Sequence, residues 1–127
     1  RVKRDCGTFA IASLHYLYDK IRQFGGEPPR HFANIWDEYS ALVERTPASH
    51  RHLRIHAGHC VYHLPEEEKL ITPDLIKSTC LAGTPEEIIE QIRVLESTGL
   101  DQIMILPSLA QQYPVIESFA RHVIDRL

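Results

Sequence analysis

The chain predicts an α/β fold, helix-rich, in which an inserted helical pair precedes the closing units of a β/α barrel. Two observations predict it. Residues 83–127 read as a helix, a buried strand and a second helix, in that order, and residues 8–44 carry two amphipathic helical patterns split by Gly25, Gly26, Pro28 and Pro29. The chain divides accordingly into a helical pair (1–47), a histidine-rich loop region (48–72) and closing βα units (73–127).

From Thr8 to Phe24 the spacing of Phe9, Leu14, Leu17, Tyr18 and Ile21 gives one apolar helix face, and Gly25-Gly26 closes it. Glu27-Pro28-Pro29 is a stiff, extended connector. A second helix is expected from about Arg30 to Glu44, burying Phe32, Ile35, Trp36, Tyr39, Leu42 and Val43, with Pro47 marking its end. The aromatics Tyr16, Tyr18, Trp36 and Tyr39 fall at helical spacing and read as core.

Residues 48–70 alternate poorly. Gly58 argues for a turn, Leu53–Ile55 and Cys60–Tyr62 for short extended pieces, and Pro65-Glu66-Glu67-Glu68 for a solvated acidic start to a turn or helix. Thr72-Pro73-Asp74 then supplies an N-cap and a first-turn proline for a short helix, Pro73 to Thr79. Cys80-Leu81-Ala82 is expected as a short strand.

Thr84 repeats the capping logic in a fuller form. Its hydroxyl can accept the Glu87 N–H, Pro85 has no N–H to lose, and Glu87 can reach back in a capping box. Ile88, Ile92 and Leu95 recur at helical spacing with Ile89 beside them, and Gly99 can take the left-handed conformation that ends the helix. Ile103, Met104, Ile105 and Leu106 form a continuous apolar run, as a parallel strand covered on both faces requires, and Pro107 ends it. After Pro114 a last helix carries Val115, Ile116, Phe119, Ala120, Val123, Ile124 and Leu127 on a wide apolar face.

Taken together, Gly83-Thr84-Pro85-Glu86-Glu87, the apolar helix, the Ser97-Thr98-Gly99-Leu100-Asp101 turn, the Ile-Met-Ile-Leu-Pro run and the terminal amphipathic helix resemble the C-terminal end of the bacterial luciferase-like monooxygenases. The resemblance is best over the last third of the chain and looser from about Arg51 to Gly83. It implies the C-terminal part of a TIM (β/α)8 barrel and a flavin- or deazaflavin-dependent oxidoreductase that binds FMN or a deazaflavin and a small-molecule substrate. A whole barrel takes about 250 residues, so 127 residues imply a piece of a larger protein, a reduced relative, or a half that pairs with a missing N-terminal barrel portion or a second copy. Arg at position 1 agrees with a piece. Taken alone, the chain is expected to be inactive.

The composition limits the partners. A formal charge of −3 leaves no nucleic-acid footprint, and the basic residues are scattered apart from Arg1, Lys3 and Arg4. No run is long enough to span a bilayer. The charge balance fits a cytoplasmic enzyme, and a homo-oligomer is expected. Cys6, Cys60 and Cys80 are odd in number, without metal or redox spacing, and read as reduced buried thiols.

Candidate chemistry gathers in the histidines between His50 and His63. His52, His56, His59 and His63 are four, three and four residues apart, so a continuous helix would place them on one face as metal ligands. Gly58 and Val61 argue against that helix, leaving cleft-lining or merely solvated histidines as the other readings. The resemblance implies a mobile active-site loop before the Gly-Thr-Pro-Glu-Glu helix, and so makes His59 the catalytic candidate. Its near-neutral titration suits proton transfer at a reduced-flavin adduct or substrate positioning. Gly83 and Thr84 are cofactor-binding candidates because a helix N-terminus in such a barrel can take phosphate, though Thr84 also reads as a plain cap. Ser108 joins them because it follows Leu106-Pro107, at the catalytic edge that the strand implies. No metal site is assigned. The competing classes are a non-enzymatic helical interaction module that docks through the apolar faces of residues 8–24 and 115–127, and a histidine-metal protein.

Overall fold

The computed structural model describes residues 2–127, and for Arg4 the backbone alone. The chain forms two compact units, the first ending at Cys80 and the second spanning Leu81–Leu127.

In the first unit α1 (Val2–Phe24) runs six residues further back than its apolar stripe predicts. Its inner face is Ala10, Ile11, Leu14, His15 and Tyr18, all buried. It stops at Gly25, whose φ of 74° and N–H bond to the Ile21 carbonyl at 2.8 Å make the left-handed cap expected there. A short 3-10 turn (Arg30–Phe32) leads into α2 (Ala33–Glu44), which buries Tyr39, Leu42 and Val43. Then α3 (Arg51–Ile55) seats Ile55, and α4 (Pro73–Thr79) seats Leu75 and Ile76. The expected Thr72 cap is present, its hydroxyl accepting from the Leu75 N–H at 3.1 Å.

Close packing of α1 depends on Gly7. Glycine costs a helix interior about 1 kcal/mol relative to alanine, but a Cβ here would stand 3.0 Å from Ile71 Cδ1. The missing methyl lets α1 approach the segment leading into α4, on which α1 packs.

In the second unit α5 (Pro85–Ser97) turns Ile89 and Ile92 toward Val123, and Leu81, Ile88, Ile103 and Phe119 pack around them half-buried. The last helix, α6 (Gln112–His122), has no buried residue of its own and loosens into a 3-10 turn at Ile124–Arg126. Ile89, Ile92 and Val123 are the only fully buried hydrophobics of this unit among the described residues, a small core by the standards of domains that fold unaided.

The predicted α/β class and its barrel are wrong for this structure. Among the described residues there is no β-strand, and the chain is all-α. Leu53–Ile55 lies within α3, Cys60–Tyr62 forms a turn, and Cys80–Ala82 is irregular. The decisive segment is Ile103–Leu106, which is irregular and unpaired: Met104 is 87% exposed and Leu106 70%, while Ile103 and Ile105 are half-buried. An apolar run marks a buried strand only when neighbouring strands and covering helices exist. Without them every second side chain of this run lies in water. No described helix is long and apolar enough to cross a membrane.

Candidate functional site

Two polar clusters sit on the first unit, one exposed and one buried. The exposed cluster starts from α1, where Tyr16 and Asp19, three residues apart, share a face. Opposite them the chain leaves α3 in a tight turn. Gly58 has φ +81°, and a Cβ there would fall 2.2 Å from the Tyr62 carbonyl oxygen, so only glycine fits. His59 and Cys60 follow with φ of 23° and 66°, a conformation non-glycine residues rarely adopt.

This turn aims the imidazoles at α1. His59 Nε2 lies 3.0 Å from Tyr16 Oη and His56 Nε2 3.2 Å from Asp19 Oδ2. The His56 and His59 rings are 5.6 Å apart, and the Tyr16 ring meets both edge-on. Four groups able to carry a proton thus line one solvent-facing patch. The His56–Asp19 pair is close to half exposed on both sides and contributes little to stability.

The buried cluster centres on Glu67, which is fully inaccessible to solvent. Its Oε1 accepts from His15 Nε2 and Arg54 Nη1, each at 3.1 Å, and its Oε2 accepts from the Leu64 N–H at 2.7 Å. Burial alone would raise this carboxyl, but the bonds from His15, Leu64 and Arg54 outweigh it and hold Glu67 below the ordinary glutamate range. Tyr39 stacks on His15 with centroids 5.9 Å apart. Burial first, and then the Glu67 charge, push its phenol far above its usual range, so it stays neutral. His15 Nδ1, Tyr18 Oη, Tyr39 Oη and Ser40 Oγ are buried and have no hydrogen-bond partner among the described residues.

The four histidines that a continuous helix would place on one face do not share one. His52 lies in α3, His56 caps it, His59 sits in the following turn, and His63 pairs with Glu68 instead. The helix ends at Ile55 because Gly58 cannot continue it. No group of three or more metal-ligating side chains capable of holding an ion occurs among the described residues.

In the second unit the Thr84 capping box is complete: Glu87 N–H donates to Thr84 Oγ1 at 3.3 Å, and Thr84 N–H donates to Glu87 Oε2 at 2.7 Å. Gly83 makes room for it, since a Cβ there would stand 2.9 Å from Glu87 Cβ. These residues do not fit a flavin phosphate. The Glu87 carboxylate already occupies the positive end of the helix and Glu86 adds a second negative charge beside it. Ser108 precedes a 3-10 turn, its carbonyl accepting from the Gln111 N–H at 2.9 Å. No hydrogen bond joins it to Gly83 or Thr84.

No family profile, curated protein or solved structure matches the chain.

Several residues of consequence escaped the sequence. Glu67 was expected on a solvated acidic face and is instead fully buried, and Tyr16, expected in the core, is 55% exposed against His59. One local signal was available for Glu67: it stands three residues after Leu64 across Pro65, the offset at which a carboxylate folds back onto a backbone N–H.

Proposed function

We propose that the chain is the C-terminal portion of a luciferase-like flavin- or deazaflavin-dependent oxidoreductase, inactive by itself, in which His59 handles a proton. The ordered set of residues from Gly83 to Leu127 carries this reading. Its capping box is formed and its α5 ends at Gly99 with the N–H bonded to the Glu96 carbonyl at 2.9 Å, while its apolar run Ile103–Leu106 is unpaired with two side chains left in solvent, so the reading rests on the resemblance of these residues and not on a barrel strand. A run of that composition with no cover of its own suits a chain that meets further protein.

His59 suits its part because its ring is exposed and oriented by Tyr16, so the imidazole can exchange a proton with solvent or a substrate while the phenol fixes its direction. Since Gly83 and Thr84 are committed to the cap, cofactor binding falls to residues outside this chain.

The native gene product tests the reading. It should carry or take up FMN or a deazaflavin, with the matching visible absorbance, and oxidise a reduced nicotinamide or a deazaflavin substrate. His59→Ala should lower turnover roughly 100- to 10,000-fold at unchanged cofactor affinity. A colourless native product that binds neither cofactor would refute it. A stable colourless self-assembly would instead favour the helical interaction module. That alternative is already narrowed, because the α1 face it needs is spent on the first unit's own core through Ile11, Leu14 and Tyr18.

A further inference from the structure

Cys6 and Cys80 stand 74 positions apart in sequence and meet where the first turns of α1 lie against the end of α4. Two features fix the meeting. The contact of Gly7 with Ile71 brings α1 as near to this segment as a backbone without a Cβ allows. Cys80 then caps α4 in an extended conformation (φ −131°, ψ 144°), its N–H bonded to the Ile76 carbonyl at 2.8 Å. In that position Cys80 Sγ donates to the Cys6 carbonyl oxygen at 3.9 Å and lies 3.7 Å from Thr79 Oγ1. Both residues are partly exposed, so neither is sealed from a small reagent.

We propose that Cys6 and Cys80 form a redox-active thiol pair, which a hydroperoxide converts to a disulfide. The Cys80 thiolate attacks the distal peroxide oxygen, the O–O bond breaks, and the alcohol leaves with a proton, giving a sulfenic acid on Cys80. The Cys6 sulfur then attacks the Cys80 sulfur, the S–O bond breaks, and hydroxide leaves as water with the Cys6 proton. Two thiols and one hydroperoxide thus become one disulfide, one alcohol and one water, with both electrons supplied by the sulfurs.

The two thiols are electrostatically unlike, as this order of events needs. The bond from Cys6, opposed by burial and helped by Thr79, brings Cys80 down to about 7. The same bond, burial, and the charges of Cys80 and Asp5 push Cys6 upward. Cys80 is therefore the attacking sulfur and Cys6 the resolving one. Closure brings the sulfurs to about 2 Å. Both lie near helix ends, where backbone yields most readily. Cys60 has no thiol partner, and burial raises it.

The full chain is exposed to stoichiometric hydrogen peroxide, and the remaining thiols are alkylated under denaturing conditions and weighed. Two of the three cysteines should become unreactive, the Cys6 and Cys80 peptides should be joined, and dithiothreitol should restore both. The rate should rise roughly tenfold between about pH 6 and pH 8 as the Cys80 thiolate forms, and Cys60→Ser should change none of this. In Cys6→Ala, a sulfenic acid should persist on Cys80 and react with dimedone; if that variant does not fold, the wild-type peptide map decides alone. Three alkylatable thiols after exposure sufficient to oxidise glutathione, a bridge that includes Cys60, or a rate flat with pH would each overturn the proposal.

Discussion

His15 donates from Nε2 to the Oε1 of Glu67 at 3.1 Å, joining the middle of α1 to a 3-10 turn 52 residues away, with both side chains buried. The same carboxylate takes Arg54 from α3. Three segments of the first unit therefore share one negative charge.

Removing that charge should be costly. Glu67→Gln leaves Arg54 facing a neutral amide and gives His15 a weaker acceptor, both near or in the interior. Urea denaturation should show a loss of about 3 kcal/mol, the scale of breaking a buried pair from one side. A loss under 0.5 kcal/mol would mean that the packing of α1 against its neighbours, not this network, holds the unit.

The pH dependence follows from the direction of the Glu67 shift. Its carboxyl is held below the ordinary value of 4.5 in the folded chain, so the unfolded chain binds its proton first on acidification. The stabilisation is complete above that ordinary value and is lost as pH falls from there through the lower folded value. Urea midpoints measured from pH 7 down to pH 3 should decline over that acidic window in the wild type. Glu67→Gln should flatten the decline, and equal slopes would remove Glu67 as its source.

At the start of α5, Thr84→Ala should cost about 1 kcal/mol through loss of the acceptor for the Glu87 N–H. Gly83→Ala should cost at least as much, because its Cβ would meet Glu87 Cβ at 2.9 Å and displace the carboxylate from the Thr84 N–H. Hydrogen exchange at the first turn of α5 reports both. Unaltered protection in Gly83→Ala would show that the box forms without this close approach.

Met104→Asp and Leu106→Asp should leave thermal stability within about 0.5 kcal/mol, since both side chains are already in water. A cooperative loss of folding in either variant would place these side chains in a core.

The helices were legible because their signals are local. Thr72-Pro73 and Thr84-Pro85 start α4 and α5 at the predicted residues, and Gly25 and Gly99 stop their helices with positive φ. The strand was misread because burial of Ile103–Leu106 is a property of neighbours, which four apolar letters cannot specify. The polar clusters were hidden for a related reason. Tyr16 meets His59 across 43 residues, and Cys80 meets Cys6 across 74, so no spacing rule connects them. His59 stands out in the sequence only by residue type, and nothing there points to its partners.

The bare ribbon from Ile103 to Leu106 also bears on the chain's fate in a cell. Unpaired backbone with greasy side chains turned outward, next to a core of three buried residues among those described, is what chaperones and quality-control proteases survey for. A chain that left this ribbon bare would be short-lived, and anything that covered it would raise its abundance.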